Sequence, residues 1–311
     1  MESVVTLIPL ISVVIPVYNG EMTLLNTLSG VLSQTYNNFE VIIVDDGSDN
    51  YVEQFLQKHI NDGRINIYRI ERSNANIARN YGIHKSNGEY IAMLDADDLW
   101  LENHLENCLK LLKESNAEGL YGSIFISQGK SLNINKTKIL YARELKKDES
   151  IIDYLLTTGC GAQTSTIFTT AQSMKDIQWD ASLIDHQDYD FVTRFYKKYK
   201  MIPQKEPSVI YFLNSGRKPH YETCIQYVEQ NIHDINPEVY TAYNKKIYAC
   251  ASRSNAPKKF LVYFRKEATK YKEFLSYRQY LSINNPNNYY QIIWCKIKFI
   301  FYIMRIEISN R

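Results

Sequence analysis

The chain opens with short apolar segments that alternate with segments of helical periodicity. Three mainly apolar runs have the length of strands buried on both faces, at 11–17, 39–44 and 90–94, and residues 65–70 are also strand-like. Four stretches between and after them carry apolar residues at helical spacing, at 21–34, 51–60, 74–85 and 99–114. Such alternation is typical of a doubly wound sheet. The pattern therefore predicts an α/β fold with a Rossmann-like, mostly parallel sheet.

The second part of the chain is less regular and ends in helices. Further strands are predicted at 120–127, 165–169 and 208–213, and further helices at 149–158 and 188–199. From about Tyr221 the pattern is helical to the end, apart from breaks near 255–257 and 284–288. We therefore predict a sheet-containing domain of residues 1–218, followed by a helical C-terminal region of residues 219–311.

Composition and charge exclude several classes of protein. The 36 Lys and Arg residues balance 34 Asp and Glu, and a net charge of +2 gives no general attraction to nucleic acid. The five cysteines are scattered without CxxC spacing, which indicates a reducing compartment and no zinc site. The N-terminus lacks the basic charge of a signal peptide, and no apolar run approaches the ~20 residues of a spanning helix. We expect a cytoplasmic protein.

The tail, residues 288–311, is rich in Ile, Phe and Tyr and is interrupted by Lys296, Lys298 and Arg305. These charges prevent it from spanning a bilayer, but a basic, aromatic, amphipathic helix can lie in the membrane interface. The alternative is a helix that packs on the protein or on a second subunit. Peripheral contact with the inner face of the cell membrane and a homo-oligomer both stay open at this point.

Polar side chains follow three of the predicted strands. Tyr18 follows the first strand, Asp46 the second, and Asp95 and Asp97 the fourth. Because the carboxyl ends of parallel strands meet at one sheet edge, where such sheets bind ligands, we expect these side chains to lie together. Tyr18 and the backbone near Pro16 would hold a nucleotide base, and Asp46 would accept a base N–H group or the ribose hydroxyls. The last two carboxylates would bind a divalent cation that holds the phosphates. A solvated acidic turn that caps the next helix is the alternative for residues 95–98.

A resemblance to a known family covers about residues 10–215. The runs VVIPVYNG, NIARNYGI and GEYIAMLDADD resemble the family 2 glycosyltransferases of the GT-A fold. The resemblance implies inverting transfer of a sugar from a nucleotide diphosphate donor, with Mn²⁺ or Mg²⁺ as cofactor. It implies that Tyr18 and the backbone near Pro16 hold the base, that Asp46 reads uracil, and that Arg79 lies beside the diphosphate. For Arg79, a solvated helix arginine is the alternative.

The family's DxD motif maps to residues 95–97. The resemblance implies that Asp97 is the metal ligand, and that Asp95 either contacts the ribose or is a second ligand. Clustered carboxylates repel one another, so a bound cation is a physical reason for keeping them close. The next residue, Asp98, extends the motif to DxDD.

The base for the acceptor hydroxyl is expected in the run IDHQDYDFVTRF. Family members carry a Glu-Asp pair here, at the start of a helix, and this chain has Gln187-Asp188 in its place. The resemblance thus makes Asp188 the catalytic base and leaves the role of the first position open. A helix-capping aspartate is the other reading of Asp188. Two nearby carboxylates, Asp185 and Asp190, are the alternative bases.

Taken together, these features predict an inverting, metal-dependent glycosyltransferase with a UDP-sugar donor. It would move a hexose or N-acetylhexosamine to a hydroxyl of a glycan or an undecaprenyl-diphosphate-linked sugar, in synthesis of O-antigen or capsule. A nucleotidyltransferase is one rival, but it would need a basic, Gly-rich loop after the first strand, and PVYNGEMTLL contains no Lys or Arg. A non-catalytic nucleotide-sugar-binding module is the other rival, and the intact carboxylates argue against it.

Overall fold

A computed structural model describes residues 8–128, 137–159, 162–213 and 219–284 of the chain. Residues up to Asn231 form one compact unit, and residues from Ile232 onward belong to a second. The domain boundary predicted between residues 218 and 219 remains a prediction. The membrane contact predicted for residues 288–311 lies outside the described residues. Among the described helices, none is long and apolar enough to cross a membrane.

The described part of the first unit contains nine strands in one sheet: β1 (Ile11–Val17), β2 (Phe39–Asp45), β3 (Ile65–Arg69), β4 (Tyr90–Met93), β5 (Leu99–Trp100), β6 (Gly119–Gln128), β7 (Lys138–Leu140), β8 (Phe168–Thr170) and β9 (Met201–Leu213). Their order is β3-β2-β1-β4-β8-β6-β9-β5, and β7 pairs with β6. The four strands from β3 to β4 are parallel, as are β6 and β9. The antiparallel pairings span only two or three residues each. The predicted α/β fold with a mostly parallel sheet is confirmed.

The helices of this unit are α1 (Glu21–Leu32), α2 (Val52–Gln57), α3 (Ala75–Lys85), α4 (His104–Ser115), α5 (Ile151–Thr158), α6 (Ala171–Ile177), α7 (Gln187–Tyr196) and α8 (Tyr221–Gln230). The helix predicted over 99–114 begins only at His104, because Leu99 and Trp100 pair with β9 as a short strand. Here an available sheet edge overrides helical periodicity.

The core explains how one helix reaches the sheet edge. Every residue of β1 is buried, and α3 packs closely on it at Gly82. A Cβ atom on Gly82 would lie 2.5 Å from Cγ1 of Val14, so a side chain there would push the helix away from the sheet. The side chain of Asn74 caps α3 by accepting hydrogen bonds from the backbone N–H groups of Asn76 and Ile77, at 3.0 and 3.1 Å. This packing fixes the position of the polar residues on the first turns of α3.

The second unit is helical in its described part, with α9 (Pro237–Arg253), α10 (Lys258–Ala268) and α11 (Tyr277–Asn284). Asn236 caps α9 through a hydrogen bond from the backbone N–H of Glu238 at 2.9 Å, and proline occupies the first turn. The buried hydroxyl of Tyr240 donates to the Glu267 carboxylate of α10 at 2.7 Å. This bond joins α9 to α10 inside the unit.

Candidate active site

The ends of β1 and β2 place Tyr18 and Asp46 side by side. Val17 and Asp45, the last residues of these parallel strands, are in register. The backbone N–H of Asp46 then donates to the Val17 carbonyl at 2.9 Å. Pro16 lies one residue earlier in β1 and is buried in the sheet. The sheet therefore brings together the side chains that the sequence predicts for base binding.

Arg72 lies between these two side chains. Its guanidinium carbon is 3.5 Å from the centroid of the Tyr18 ring, and its Nη1 donates to Oδ2 of Asp46. Ser73 donates to Oδ1 of Asp46 through its backbone N–H at 2.8 Å and its hydroxyl at 2.7 Å. A carboxylate has about four lone-pair sites. The bonds from Arg72 and Ser73 therefore leave Asp46 room for one further donor, on Oδ2.

A glycine allows Arg72 to approach. Gly47 has φ +72°, in the left-handed region, and a Cβ atom on it would lie 2.7 Å from the backbone nitrogen of Arg72. A second arginine of the same segment forms a similar arrangement one position back along β2. Arg69 donates to Asp45 at 2.5 Å, and its guanidinium carbon lies 4.3 Å from the centroid of the Tyr51 ring.

The three carboxylates after β4 have different surroundings. Asp97 is exposed, and the Asp95 side chain is 30% exposed. Asp98 is 1% exposed and accepts a hydrogen bond from the Ser165 hydroxyl at 2.5 Å. Burial raises the pKa of Asp98 well above its ordinary value, and its two acidic neighbours add to the effect. The acidic turn does not cap the next helix, because Asn103 precedes α4; that reading was wrong.

Arg79 is buried under this turn. It is 3% exposed, and its Nη2 donates to Oδ1 of Asp95 at 2.7 Å. Its Nη1 donates to the side-chain oxygen of Asn76 at 2.7 Å, and its guanidinium carbon lies 4.7 Å from the centroid of the Trp179 ring. Its Nε is buried and has no partner among the described residues. The reading of Arg79 as a solvated helix side chain was therefore wrong.

Asp188 lies on the first turn of α7, near the Arg79–Asp95 ion pair. The backbone N–H of Tyr189 donates to Oδ1 of Asp188 at 3.0 Å. Burial raises the pKa of Asp188 to about 6, and the charge of Asp95 adds to this. The Tyr189 hydrogen bond and the charge of Arg79 act in the opposite direction. A carboxylate with a pKa near 6 is a better proton acceptor at neutral pH than an ordinary aspartate.

The two alternative bases both hold structural contacts. Asp190 accepts from Nε of Arg194 at 2.8 Å, and Arg194 also donates to two backbone carbonyls at the end of α6. Asp185 accepts from the backbone N–H of His220. Arg79 and Asp95 are among the causes of the shifted pKa of Asp188, whereas the pKa of Asp190 responds to burial and to the charges of Arg194, Asp180 and Lys197.

Asp188 lines a cavity of about 220 Å³. The other lining residues are Gln163, Asp185, His186, Gln187 and Tyr189. The Oε1 atoms of Gln163 and Gln187 are both buried and have no hydrogen-bond partner among the described residues. An unpaired buried acceptor costs about 1–3 kcal/mol, so such groups call for an explanation such as a ligand or a water.

The carboxylates do not form a complete metal site by themselves. Among the described residues, no group of three or more His, Cys, Asp or Glu side chains could hold a metal ion. Asp95 and Asp97 nevertheless fit Mg²⁺ or Mn²⁺ at a nucleotide, because Mg²⁺ is usually bound by one or two carboxylates together with substrate phosphates. Both residues are reachable from solvent.

Comparison with known proteins decides the family. The sequence model of Glycosyl transferase family 2 matches residues 12–174, which is more than half of the chain. The chain belongs to glycosyltransferase family 2. It is therefore an enzyme of the glycosyltransferase class, and the resemblance noted in the sequence is confirmed.

Two bacterial glycosyltransferases illustrate its relatives. The amylovoran biosynthesis glycosyltransferase AmsB of Erwinia amylovora is 35% identical over 207 residues, which are 62% of this chain and 67% of AmsB. WfgD of Escherichia coli, a UDP-Glc:α-D-GlcNAc-diphosphoundecaprenol β-1,3-glucosyltransferase, is 34% identical over 141 residues. That match covers 44% of this chain and 55% of WfgD, so it spans only about half of the relative's length.

A solved structure confirms the predicted GT-A fold. Staphylococcus aureus TarS, residues 1–349, solved in complex with UDP-GlcNAc, superposes with a TM-score of 0.56. The superposition covers 88% of this glycosyltransferase and 79% of the TarS chain, at 16% sequence identity. At that identity the likeness concerns the fold alone.

Sequence reasoning missed three polar side chains of the site. Arg72 and Gln163 lie in loops without a regular pattern, and Ser165 belongs to a single 3₁₀ turn at Thr164–Thr166. The hydrogen-bond partners of the Arg72 and Ser165 side chains are 26 to 70 residues away in sequence, so local sequence patterns do not reveal them. The one available signal was the polar segment ERSNAN after β3, because β3 runs parallel to β2 and the ends of both strands lie at the same edge of the sheet.

Proposed function

We propose that this glycosyltransferase moves a sugar from a UDP-sugar to a sugar hydroxyl, with inversion, in synthesis of a bacterial surface polysaccharide. The observation that carries the proposal is Asp188, a half-buried carboxylate that lines a cavity near the Arg79–Asp95 pair and has a pKa raised to about 6. The names of AmsB and WfgD support polysaccharide synthesis and a UDP-linked hexose. O-antigen and capsule are the polymers that fit this role.

The donor's base is held between the ends of β1 and β2. In this proposal Tyr18 and the backbone near Pro16 form the stacking surface, and Oδ2 of Asp46 accepts the N–H group of uracil. Arg72, which already touches Tyr18 and Asp46, donates to a neighbouring uracil carbonyl. An acceptor and a donor side by side complement the edge of uracil and mismatch that of cytosine, which has an acceptor where uracil has N–H.

The diphosphate is held at the turn after β4. Asp97 and Asp95 would bind Mn²⁺ or Mg²⁺, and Arg79 keeps Asp95 in place from the buried side. When bound, the cation neutralises the charge that develops on the departing nucleoside diphosphate. Arg79 adds a fixed positive charge under the same turn, since a guanidinium stays protonated in proteins.

Asp188 acts as the base. Its carboxylate takes the proton of the acceptor hydroxyl while the hydroxyl oxygen attacks the anomeric carbon of the donor sugar and UDP leaves from the opposite face. A single displacement of this kind inverts the configuration at that carbon and forms a β-linkage from an α-linked donor. Neutral pH lies above the raised pKa of about 6, so Asp188 is mostly charged there and can accept the proton.

The acceptor occupies the cavity beside Asp188. Gln163 and Gln187 would turn their amide groups towards hydroxyls of the acceptor sugar, which would pair the two buried oxygens. The acceptor is a glycan or an undecaprenyl-diphosphate-linked sugar, as the name of WfgD suggests. With such a lipid-linked acceptor, the reaction takes place at the inner face of the cell membrane.

A screen of UDP-sugars tests this proposal. Ligand binding to the folded state raises the unfolding temperature, so the true donor should stabilise the protein, and more strongly with Mn²⁺ or Mg²⁺ than with EDTA. UDP alone should give part of the effect. If GDP- or dTDP-sugars stabilise the protein and UDP-sugars do not, the donor assignment is wrong. Incorporation of a nucleotide rather than a sugar into product would favour the nucleotidyltransferase.

A further inference from the structure

The described part of the second unit is strongly cationic. Residues 232–284 contain ten Lys and Arg but only four Asp and Glu, whereas the whole chain has a net charge of +2. The remainder of the chain is therefore net acidic. Such charge asymmetry within one chain is typical of a region that meets an anionic partner.

Helix α10 collects much of this charge on one side. Lys258, Lys259, Arg265 and Lys266 are all exposed and, at 100° per residue, fall within about one third of the helix circumference. The opposite side is buried and carries Phe260, Phe264, Glu267 and Ala268. We call the exposed side, together with Lys270 and Lys272 just after the helix, the α10 basic face.

The acidic residues near the α10 basic face are too few to neutralise its positive charge. Glu267 lies 3.8 Å from Lys266 and 3.9 Å from Lys270, but its carboxylate points inward and accepts the Tyr240 hydroxyl. Glu273 is the other acidic residue of the segment 258–274, against six Lys and Arg. The surface that meets solvent is thus dominated by cations.

Apolar side chains are exposed within the same face. Val262 is 58% exposed and lies in the helix arc between the four cations, and Phe274 of the following turn is 41% exposed. Cations around apolar groups match a membrane interface, where phosphate headgroups lie above acyl chains. A site for single-stranded nucleic acid would instead present a series of exposed aromatic rings for successive bases, whereas Phe274 is the one exposed aromatic side chain among the described residues of 258–274.

We propose that the α10 basic face binds the surface of an anionic lipid bilayer. The lysines and arginine contact lipid phosphates, and Val262 and Phe274 enter the interface between them. The proposal rests on the charge and exposure of this helix and is independent of the donor, acceptor and base assigned above. It also concerns a different segment from the tail at 288–311.

Vesicle binding by the full-length chain tests the proposal. The protein is sedimented with vesicles of phosphatidylcholine alone and with vesicles that contain about one third phosphatidylglycerol. We expect binding to the anionic vesicles only, with an affinity that falls steeply as salt is raised. The quadruple variant Lys258→Glu/Lys259→Glu/Arg265→Glu/Lys266→Glu should lose at least tenfold in affinity, because it reverses four exposed charges on the face.

A matched variant controls for net charge. Lys110, Lys113, Lys138 and Lys205 are exposed lysines of the first unit, and their joint replacement by Glu changes the net charge nearly equally. This control should bind vesicles within threefold of wild type, and both variants should keep the wild-type unfolding temperature. Equal losses in the two variants, equal binding to neutral vesicles, or no vesicle binding by wild type would overturn the proposal. So would tighter binding to a DNA duplex than to anionic vesicles at the same salt.

Discussion

Arg79 donates a 2.7 Å hydrogen bond to Asp95 from the buried side of the turn, and Asp95 keeps 30% of its side chain exposed. The pair therefore joins the packed interior to the solvent-facing edge of the sheet. Arg79 is held by Asn76 and by the ring of Trp179, so its charge is fixed in place. A fixed cation that costs no reorganisation during reaction is an effective way to stabilise a developing anion.

Replacement of Arg79 by methionine should weaken UDP binding about tenfold and lower the free energy of unfolding by about 1–3 kcal/mol. The buried side-chain oxygen of Asn76 would lose a partner, and Asp95 would lose its counter-charge. Arg79→Lys should not restore binding, because an ammonium group cannot bond Asp95 and Asn76 in the same planar geometry.

Arg194→Met is the control for Arg79. Arg194 also pairs with an aspartate, Asp190, and it donates to two backbone carbonyls at the end of α6 instead of to the turn after β4. We expect it to reduce stability and leave UDP affinity unchanged. Titration calorimetry with UDP and Mn²⁺, together with thermal unfolding, separates the two effects. Equal losses of UDP affinity in both variants would contradict the role given to Arg79.

Arg72→Ala should reduce UDP affinity about tenfold with a change in stability of less than about 1 kcal/mol, because the Arg72 side chain is 50% exposed and Ser73 keeps its two hydrogen bonds to the buried Asp46 carboxylate. Arg69→Ala removes a similar arginine, which pairs with Asp45 and stacks on Tyr51 instead of Tyr18. That control should bind UDP as wild type does. Unchanged or tighter UDP binding by the Arg72 variant would mean that Arg72 only fills the base site of the free enzyme.

Gln187→Leu and Gln163→Leu should raise the KM for the acceptor at least tenfold and change the donor KM by less than threefold. Each variant removes an amide that lines the cavity of Asp188 and whose buried oxygen has no partner among the described residues. Their effect on stability should be neutral or favourable, since an unpaired buried acceptor is lost. Steady-state kinetics with both substrates varied provides the measurement. A rise in the donor KM alone would assign the amides to the donor sugar.

Asp188→Asn should stabilise the metal-free protein at pH 8. The folded-state pKa is raised from 3.8 to about 6, so the native state disfavours the charged form. The stability that the protonated form provides is complete below pH 3.8 and is lost as the pH rises through about 6. The wild type therefore carries a penalty of up to about 3 kcal/mol at pH 8, which the uncharged asparagine lacks.

The charges around Asp188 enter this pH dependence from several elements. Arg79 of α3 opposes the shift, Asp95 strengthens it, and Asp188 in turn contributes to the raised pKa of Tyr227 on α8. His186 precedes Asp188 and stacks on the Tyr227 ring, with centroids 5.4 Å apart. Thermal unfolding in EDTA at pH 8 and pH 4 measures the difference. If the stability gained by Asp188→Asn does not become smaller at pH 4, the gain does not come from removal of the Asp188 charge.

The sheet could be predicted because most of its strands have a recognisable local pattern of apolar residues. Runs such as residues 11–17 are apolar apart from Ser12, which is typical of a strand covered on both faces. The helix predicted from residue 99 was misplaced because the deciding contact, between Leu99 and Ile210 of β9, is remote in sequence. Periodicity cannot report a partner that far along the chain.

The candidate site could be predicted where a strand end or a family motif marks a residue. Tyr18, Asp46, Asp95, Asp97 and Asp188 were all named in this way. Their electrostatic states could not be predicted, because they depend on burial and on partners from other loops. Asp98 illustrates this: adjacent to Asp97 in the motif, it is buried against Ser165 and lies apart from the solvent-facing pair.

The central claim is that Asp188 is the base and takes no part in holding the donor. The most direct test measures UDP affinity with Mn²⁺ and the rate of sugar transfer for Asp188→Asn, with Asp97→Ala as the comparison. For Asp97→Ala we expect metal-dependent UDP binding and transfer to be lost together. For Asp188→Asn we expect UDP affinity within twofold of wild type and a transfer rate reduced by a factor of about 10² to 10⁴. Transfer by Asp188→Asn at the wild-type rate would contradict the account.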